Sequence, residues 1–257
     1  MKNLAISTRI QAIQHWLIMA LMPGVMISCS DTSRFDCIMK AGPEATVSVY
    51  EDQPYHTISV RDDITLVIHP DTIDRLFLSG PANLLDGIIF SIKDSVCHIR
   101  NRNTCNWVRS FDQTTTLHLH TRGLRAVHFG GTGDMYFADT LYQASFELEV
   151  WNGHGELTPL IHTDKATFKL HSGVAVITPH GITSELDVFA SGVGQINTLG
   201  LYADHVLAQN VGSNNAWVFA STMLHVRLLS AGNIYYAGNP EVKILDRQGA
   251  GDAIRLP

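Results

Sequence analysis

Acidic, basic and imidazole side chains recur on the polar face of several strand-like runs in the second half of this chain. Enzymes that cleave glycans use such groups, because one carboxyl protonates the leaving oxygen while another activates water or attacks the sugar. The runs offer two files of candidates: Glu147, Glu185, His205 and His225 in one, and Glu149, Lys169, Asp187 and Arg227 in the other. The same residue types are typical of a solvated strand face. We therefore predict no catalytic residues and a protein that is not an enzyme.

Two histidines are the best candidates for metal ligands. His118 and His120 stand at positions i and i+2, so they would share one face of a strand. No third ligand is evident, and we expect two exposed strand histidines without a metal. The chain also lacks Gly-x-Ser-x-Gly, P-loop and His-Glu-x-x-His motifs. We expect no cofactor.

An apolar and aromatic stripe is the candidate for binding. Trp151, His171 and Phe189 each follow a strand-like run, and Gln209 and Leu229 continue the series. Equivalent outward residues of stacked strands form columns with a spacing of about 4.8 Å. Two interpretations stay open. The stripe stabilises the rungs by stacking or lies under a loop, or Trp151, His171 and Phe189 bind a ligand or partner.

These positions belong to a repeat of about twenty residues. Glycines mark its copies: Gly131, Gly153, Gly173, Gly192, Gly212 and Gly232. In each copy a run carries apolar residues at its third and fifth positions, which predicts inward-facing pairs. The pairs are Leu148/Val150, Phe168/Leu170, Leu186/Val188, Val206/Ala208 and Val226/Leu228. A small inward residue should follow at a corner: Asn152, Ser172, Ala190, Asn210 or Ser230.

This repeat predicts an all-β protein, a parallel β-solenoid with about 20 residues per coil. Residues before the clear copies form less regular strand-like runs, and no segment shows sustained helical periodicity. We expect a single β domain over residues 45–257, whose early strands build the first, distorted coils. Charged residues make up only 16% and the net charge is −6, without a basic run. Nucleic acid is therefore not an expected partner.

The N-terminal region has the features of an exported lipoprotein. Lys2 and Arg9 precede a short apolar stretch, so we assign residues 1–28 to a signal peptide. Met26-Ile27-Ser28-Cys29 is similar to a bacterial lipobox, which predicts lipidation of Cys29 and a tether over residues 29–44. Ser30 after the cysteine favours the outer membrane, on its periplasmic or surface face. An ordinary signal peptide with a nearby cysteine is the alternative.

The remaining cysteines support export, because oxidising compartments permit disulfides. If Cys29 is acylated, Cys37, Cys97 and Cys105 remain, which allows one disulfide among three thiols. A zinc site is the alternative, but no pair has ligand-like spacing.

Two segments carry a resemblance to a known family. The run Ile99–Ser110, with Cys105-Asn106-Trp107, and the run Ser230–Val242, with Gly238-Asn239-Pro240, resemble the head GIN domain (DUF2807) family of auto-transporter adhesins. The similarity spans residues 45–257. It implies a right-handed parallel β-helix, a lipoprotein signal and a Cys37–Cys105 disulfide, and it brings no catalytic residues.

Three functions follow as expectations. The first is a lipid-anchored envelope protein that binds a glycan or another envelope or surface protein. The second is a structural or accessory lipoprotein without a dedicated ligand. The third is a carbohydrate-active enzyme, whose catalytic groups would come from the two files that begin with Glu147 and Glu149.

Overall fold

The computed structural model describes residues 40–49, 54–104 and 114–257, and the chain from Lys40 to Pro257 is one compact unit. The early elements are β1 (Glu44–Val49), β2 (Thr57–Asp62), β3 (Thr65–Pro70), β4 (Arg75–Pro81), α1 (Ala82–Leu85), β5 (Ile88–Lys93), β6 (Val96–Asn101) and β7 (Thr116–Thr121). The middle strands are β8 (Ala126–Gly131), β9 (Met135–Phe137), β10 (Leu141–Val150), β11 (Glu156–Thr158), β12 (Leu160–Leu170), β13 (Val176–Ile177) and β14 (His180–Ala190). The last strands are β15 (Gln195–Thr198), β16 (Leu201–Asn210), β17 (Ala216–Phe219), β18 (Met223–Leu228), β19 (Ile234–Ala237), β20 (Glu241–Arg247) and β21 (Ala253–Arg255).

The predicted fold class is confirmed, because these strands form a β-solenoid of about six coils spaced about 20 residues apart. One sheet has the order β1-β4-β7-β3-β9-β11-β13-β15-β17-β19-β21, and the other has the order β20-β18-β16-β14-β12-β10-β8-β2-β6-β5. From β9 onward in the first sheet and β8 onward in the second, successive coils pair in parallel.

Each regular coil has three sides. The long strands β10, β12, β14 and β16 change the phase of their alternation at two consecutive exposed residues, such as Asp164 and Lys165 in β12. A strand whose side chains change face in this way turns a corner there. We call the short strands β9, β11, β13, β15, β17, β19 and β21 side 1, the first halves of the long strands side 2, and their second halves side 3.

The core is a continuous apolar file inside the coils. Phe129, Phe146 and Phe168 are its largest buried side chains, and burial of each such residue contributes about 1.5–3 kcal/mol. Two polar groups inside the core pair with each other. Thr163 and Thr183 form a hydrogen bond of 3.1 Å between hydroxyls on adjacent rungs. The inward-facing pairs that the sequence predicted, from Leu148/Val150 to Val226/Leu228, are all buried, so this prediction is confirmed.

The register between rungs differs from the one that the sequence suggested. Leu170 pairs with Ala190, although the repeat had aligned it with Val188, and Asn210 pairs with Leu228. The spacing is 20 residues between β12 and β14 but 18 between β16 and β18, because the intervening corners differ in length. The predicted inner corner was wrong for Asn152, which is exposed with φ of 56°. Ala190 and Asn210 do point inward, but as core residues of the strands.

The early strands form coils whose order along the solenoid differs from their order in the chain. Strand β2 lies between β6 and β8, and β3 lies between β7 and β9. The coil of β2 and β3 thus lies between the coil of β6 and β7 and the coil of β8 and β9, although both of these coils follow it in the sequence. Antiparallel pairs β1–β4, β4–β7 and β5–β6 complete this less regular end, as expected.

At the opposite end the second sheet finishes with β20. Its register against β18 shifts at a bulge between Val226 and Arg227. Val242 and Ile244 continue the inward file of β18, yet they are 36% and 44% exposed. The last rung of this sheet therefore leaves part of the apolar file in contact with solvent.

Some sequence predictions fall outside these ranges. Cys29, Cys37 and Cys105 lie outside the described residues, so the predicted lipidation and disulfide stay predictions. Cys97 is buried on β6. Within the described ranges, no helix has the length and apolar character needed to cross a membrane.

Candidate functional site

The predicted aromatic residues meet on side 3 and just beyond its end. Trp151 and His171 stack with ring centroids 3.9 Å apart and an interplanar angle of 10°. His171 and Phe189 are tilted by 41° with centroids 5.1 Å apart. Phe189 pairs with Lys169 in the register, so it touches His171 diagonally and the predicted straight column is wrong. We call Trp151, His171 and Phe189 the aromatic shelf.

A carboxylate holds the shelf from behind. Glu149 Oε1 lies 2.8 Å from His171 Nε2, and Glu149 Oε2 lies 3.9 Å from His128 Nε2. Burial alone raises the pKa of Glu149, but hydrogen bonds from Trp151 and His171 and the nearby positive charges of His171 and Lys169 hold it below its ordinary value. The charged carboxylate therefore fixes the positions of both rings.

A cleft of about 370 Å³ opens beside Trp151, on the side away from His171. Its lining comprises Ser59, Val60, Arg61, His98, His128, Phe129, Gly130, Glu149, Trp151 and Asn152. Strands β2, β6, β8 and β10 supply these residues from four neighbouring rungs. The cleft combines one indole ring with hydroxyl, imidazole and guanidinium groups, so its lining is largely polar.

The carboxylates considered for catalysis are distributed differently from the two predicted files. Glu147 is in line with Thr167 and Asp187, whereas Glu185 is in line with Lys165 and His205. Lysines on neighbouring rungs pair with them. Lys169 contacts Glu147 at 2.6 Å, and Lys165 contacts Asp187 at 2.9 Å. This arrangement stabilises the register by a modest amount, about 0.2–1 kcal/mol for an exposed pair.

The two strand histidines belong to a cluster with a third one. His69 on β3 stacks on His120 with centroids 4.5 Å apart, and its Nε2 lies 3.2 Å from His118 Nδ1. Asp71 contacts His120 at 3.1 Å, and Ser79 contacts His118 at 3.1 Å. Across residues 40–49, 54–104 and 114–257, no group of three potential ligands has the arrangement of a metal site. The rings contact one another instead of converging on one point.

Sequence analysis missed an exposed column on side 2. Tyr142, His162, Ile182 and Tyr202 are in line across four rungs. Tyr142 is 69% exposed and Tyr202 is 58% exposed, and Tyr142 lies over His162 with ring centroids 5.3 Å apart. Their spacing of twenty residues was a signal that could have found them. The predicted runs cover only side 3, so the outward residues of side 2 were not predicted.

Comparisons with known proteins agree with this architecture. A family model described as "Putative auto-transporter adhesin, head GIN domain" matches residues 54–240. A solved "putative adhesin" from Bacteroides fragilis has a TM-score of 0.75 and 21% identity, covering 83% of this chain and 97% of that one. A "putative adhesin" from Parabacteroides distasonis has a TM-score of 0.62 and 19% identity, covering 84% and 98%. A "Putative lipid binding protein" from the same species has a TM-score of 0.59 and 16% identity, covering 84% and 98%. At these identities the structures show a shared fold alone. A search of curated proteins gave no match.

Proposed function

The chain belongs to the head GIN domain family, and we propose that it acts in the cell envelope as a non-enzymatic adhesin that binds a glycan or another envelope component. The observation that carries this proposal is Trp151, an indole that is 53% exposed although one of its faces is stacked on His171. Trp151 is continuous with His171 and Phe189, and a contiguous apolar patch of this kind beside a cleft is typical of an interaction site.

The shelf suits a sugar better than it suits a reaction. Flat rings supply apolar contact area with little loss of side-chain freedom, and the stacking of Trp151 on His171 has already fixed the indole. The nearby carboxylate of Glu149 is engaged by His171, and Glu147 and Asp187 are engaged by lysines. The contact with His171 gives Glu149 a role in positioning the rings of the shelf.

A glycan array tests the binding function. Residues 30–257, which include the whole compact unit, are applied as purified protein beside the variants Trp151→Ala and Phe189→Ala. We expect retained glycans for the parent protein and loss of most signal for both variants. Tyr136→Ala is the matched control, because Tyr136 is an exposed aromatic residue on side 1. Retention that is the same in all four proteins contradicts the proposal, and release of shortened glycan products would favour the enzyme.

Anchoring through Cys29 is the second part of the proposal, and Met26-Ile27-Ser28-Cys29 supports it. Lipidation places several acyl chains on one residue, which holds a protein firmly on a membrane. We expect the full chain to fractionate with membranes and Cys29→Ala to appear in the soluble fraction. Cys97→Ala is not a useful control because Cys97 is buried, so Ser30→Ala serves instead. Continued membrane association of Cys29→Ala contradicts this part.

Ser30 supports an outer-membrane location. Added protease distinguishes its two faces, since only a surface-exposed protein is cut in intact cells. Cleavage in intact cells supports adhesion to other cells or host material, whereas protection restricts binding to components of the envelope.

A further inference from the structure

A slot one residue wide lies inside the cleft. Arg61 on β2 pairs with Gly130 on β8. On the next rung, the backbone N–H of Trp151 donates to the carbonyl oxygen of Phe129 at 3.0 Å. Trp151 is therefore level with Gly130, and Gly130 lies between Arg61 and Trp151. A Cβ built at Gly130 would lie 3.0 Å from the carbonyl oxygen of Trp151 and 3.8 Å from Cγ of Arg61. Gly130 therefore places no side chain between Arg61 and Trp151, and the close carbonyl oxygen of Trp151 disfavours any larger residue at this position.

The width of this gap fits a ring. Arg61 and Trp151 stand two rungs apart, which corresponds to about 9–10 Å. Contact between carbon atoms needs about 3.5–4 Å on each face, so the two contacts take about 7–8 Å. The remainder is the thickness of one puckered ring. The face of Trp151 opposite His171 is the face that borders the slot.

The polar groups around the slot favour a negative charge on that ring. Among the residues that the structure describes, the Arg61 guanidinium has no ion pair, whereas Arg100 nearby is paired with Asp62 at 2.8 Å. His98 and His128 also line the cleft, and an imidazole can donate a hydrogen bond to an anion. The one carboxylate in the lining, Glu149, faces His171 and His128.

We propose that this slot is a subsite for a hexuronic acid residue of a polysaccharide, with the sugar ring between the Trp151 indole and the Arg61 side chain and the sugar carboxylate bound by the Arg61 guanidinium. A guanidinium binds a carboxylate through two parallel hydrogen bonds, and such charge-assisted bonds are about twice as strong as neutral ones. The proposal rests on the proposed function and names its ligand class.

The test uses a matched pair of probes, galacturonic acid trisaccharide and its fully methyl-esterified form. The ester replaces each carboxylate by an uncharged methyl ester on the same sugar chain, and calorimetry measures the affinities of both probes for residues 30–257. We expect the acid to bind about tenfold or more tightly than the ester, as for one charge-assisted contact. Arg61→Met should abolish this preference. Arg100→Met, which removes an ion-paired arginine outside the slot, should retain it.

Filling the slot provides a second, independent measurement. Gly130→Val should abolish binding of the acid, whereas Gly123→Val should not, because nothing lies within 4 Å of a Cβ at Gly123. Circular dichroism and a thermal melt show whether Gly130→Val is folded. If it is not, Arg61→Met decides the question, since it changes no backbone contact.

The results separate this inference from the proposed function. Equal affinity for acid and ester, an unchanged preference in Arg61→Met, or no binding of the acid overturns the uronic acid subsite. If Trp151→Ala still loses neutral glycans from the array in any of these cases, the proposed function stands without the subsite.

Discussion

One buried amide closes the turn after β16. Asn210 is fully buried and occupies the core file in line with Ala190 and Leu228. Its Nδ2 donates to the carbonyl oxygens of Asn214 at 2.8 Å and Asn233 at 3.2 Å, and its Oδ1 accepts from the N–H of Gly212 at 3.0 Å. A polar residue thus replaces an apolar one because the corner beside it has backbone groups to satisfy.

We expect Asn210→Leu to destabilise the protein even though leucine suits the apolar file. The substitution leaves buried backbone groups without partners, and each such group costs about 1–3 kcal/mol. Chemical denaturation measures the free energy of unfolding. Asn239→Leu is the control, because Asn239 is exposed, and it should change that free energy by no more than about 0.5 kcal/mol. Equal stability of Asn210→Leu and the parent would show that these hydrogen bonds do not hold the corner.

This residue also marks what the sequence could and could not predict. Alternation predicted that Asn210 points inward, because facing is a local property of a strand. Its neighbours across rungs depend on the length of each corner, and 18 residues separate Asn210 from Leu228 where 20 separate Leu170 from Ala190. For the same reason the sequence wrongly placed Phe189 directly beside His171 in the register, although the two rings do contact each other.

At the scale of elements, pairing of strands far apart in sequence created features that no local pattern contained. The sequence indicated His118 and His120 on β7, but β3 supplies His69 by lying beside β7. The cleft arises likewise because β2 lies between β6 and β8. The insertion of the β2–β3 coil out of chain order could not be derived, since it requires long-range pairing.

The histidine cluster predicts a pH dependence of stability. Burial lowers the pKa of His69, and so do the positive charges of His120 and His118, whereas Asp71 opposes this effect. Burial and the positive charge of His120 also lower the pKa of His118. Ser79, Phe77 and Asp71 also face these rings. A lowered pKa means that the unfolded chain binds more protons, so this stabilisation is present above about pH 6.5 and is lost as the pH falls.

Denaturation at pH 7.5 and pH 5.5 checks this expectation. His69→Gln should reduce the loss of unfolding free energy between the two values. His154→Gln, at an exposed corner, should leave that loss unchanged. An identical pH dependence in His69→Gln and the parent contradicts the role of the cluster.

At the scale of the whole molecule, each coil contacts its neighbours above and below, as in other repeat proteins. We expect deletion of residues 171–190, one complete coil, to give a folded protein that is shorter by about 4.8 Å. Leu170 would then be followed by Ser191, which preserves the alternation and the inward file. The deletion removes His171 and Phe189 but keeps Arg61, Gly130 and Trp151.

Small-angle scattering measures the length and a thermal melt measures cooperativity. Deletion of residues 171–180 is the control, because half a coil destroys the register and should prevent cooperative folding. A folded half-coil variant, or an unfolded full-coil variant, contradicts the additive stacking of coils.

The open rung at β20 bears on how long such a rod can become. Stacking of similar coils does not by itself limit the number of coils, because the last strand can pair with a further strand, as in a fibril. Here the bulge opposite Val226 bends the edge, and Glu241, Lys243, Asp246 and Arg247 place charges along it. Bulges and edge charges discourage further pairing. The final strand of this sheet therefore carries two features that oppose the addition of another strand, and the exposed Val242 and Ile244 are the apolar surface that such a strand would cover.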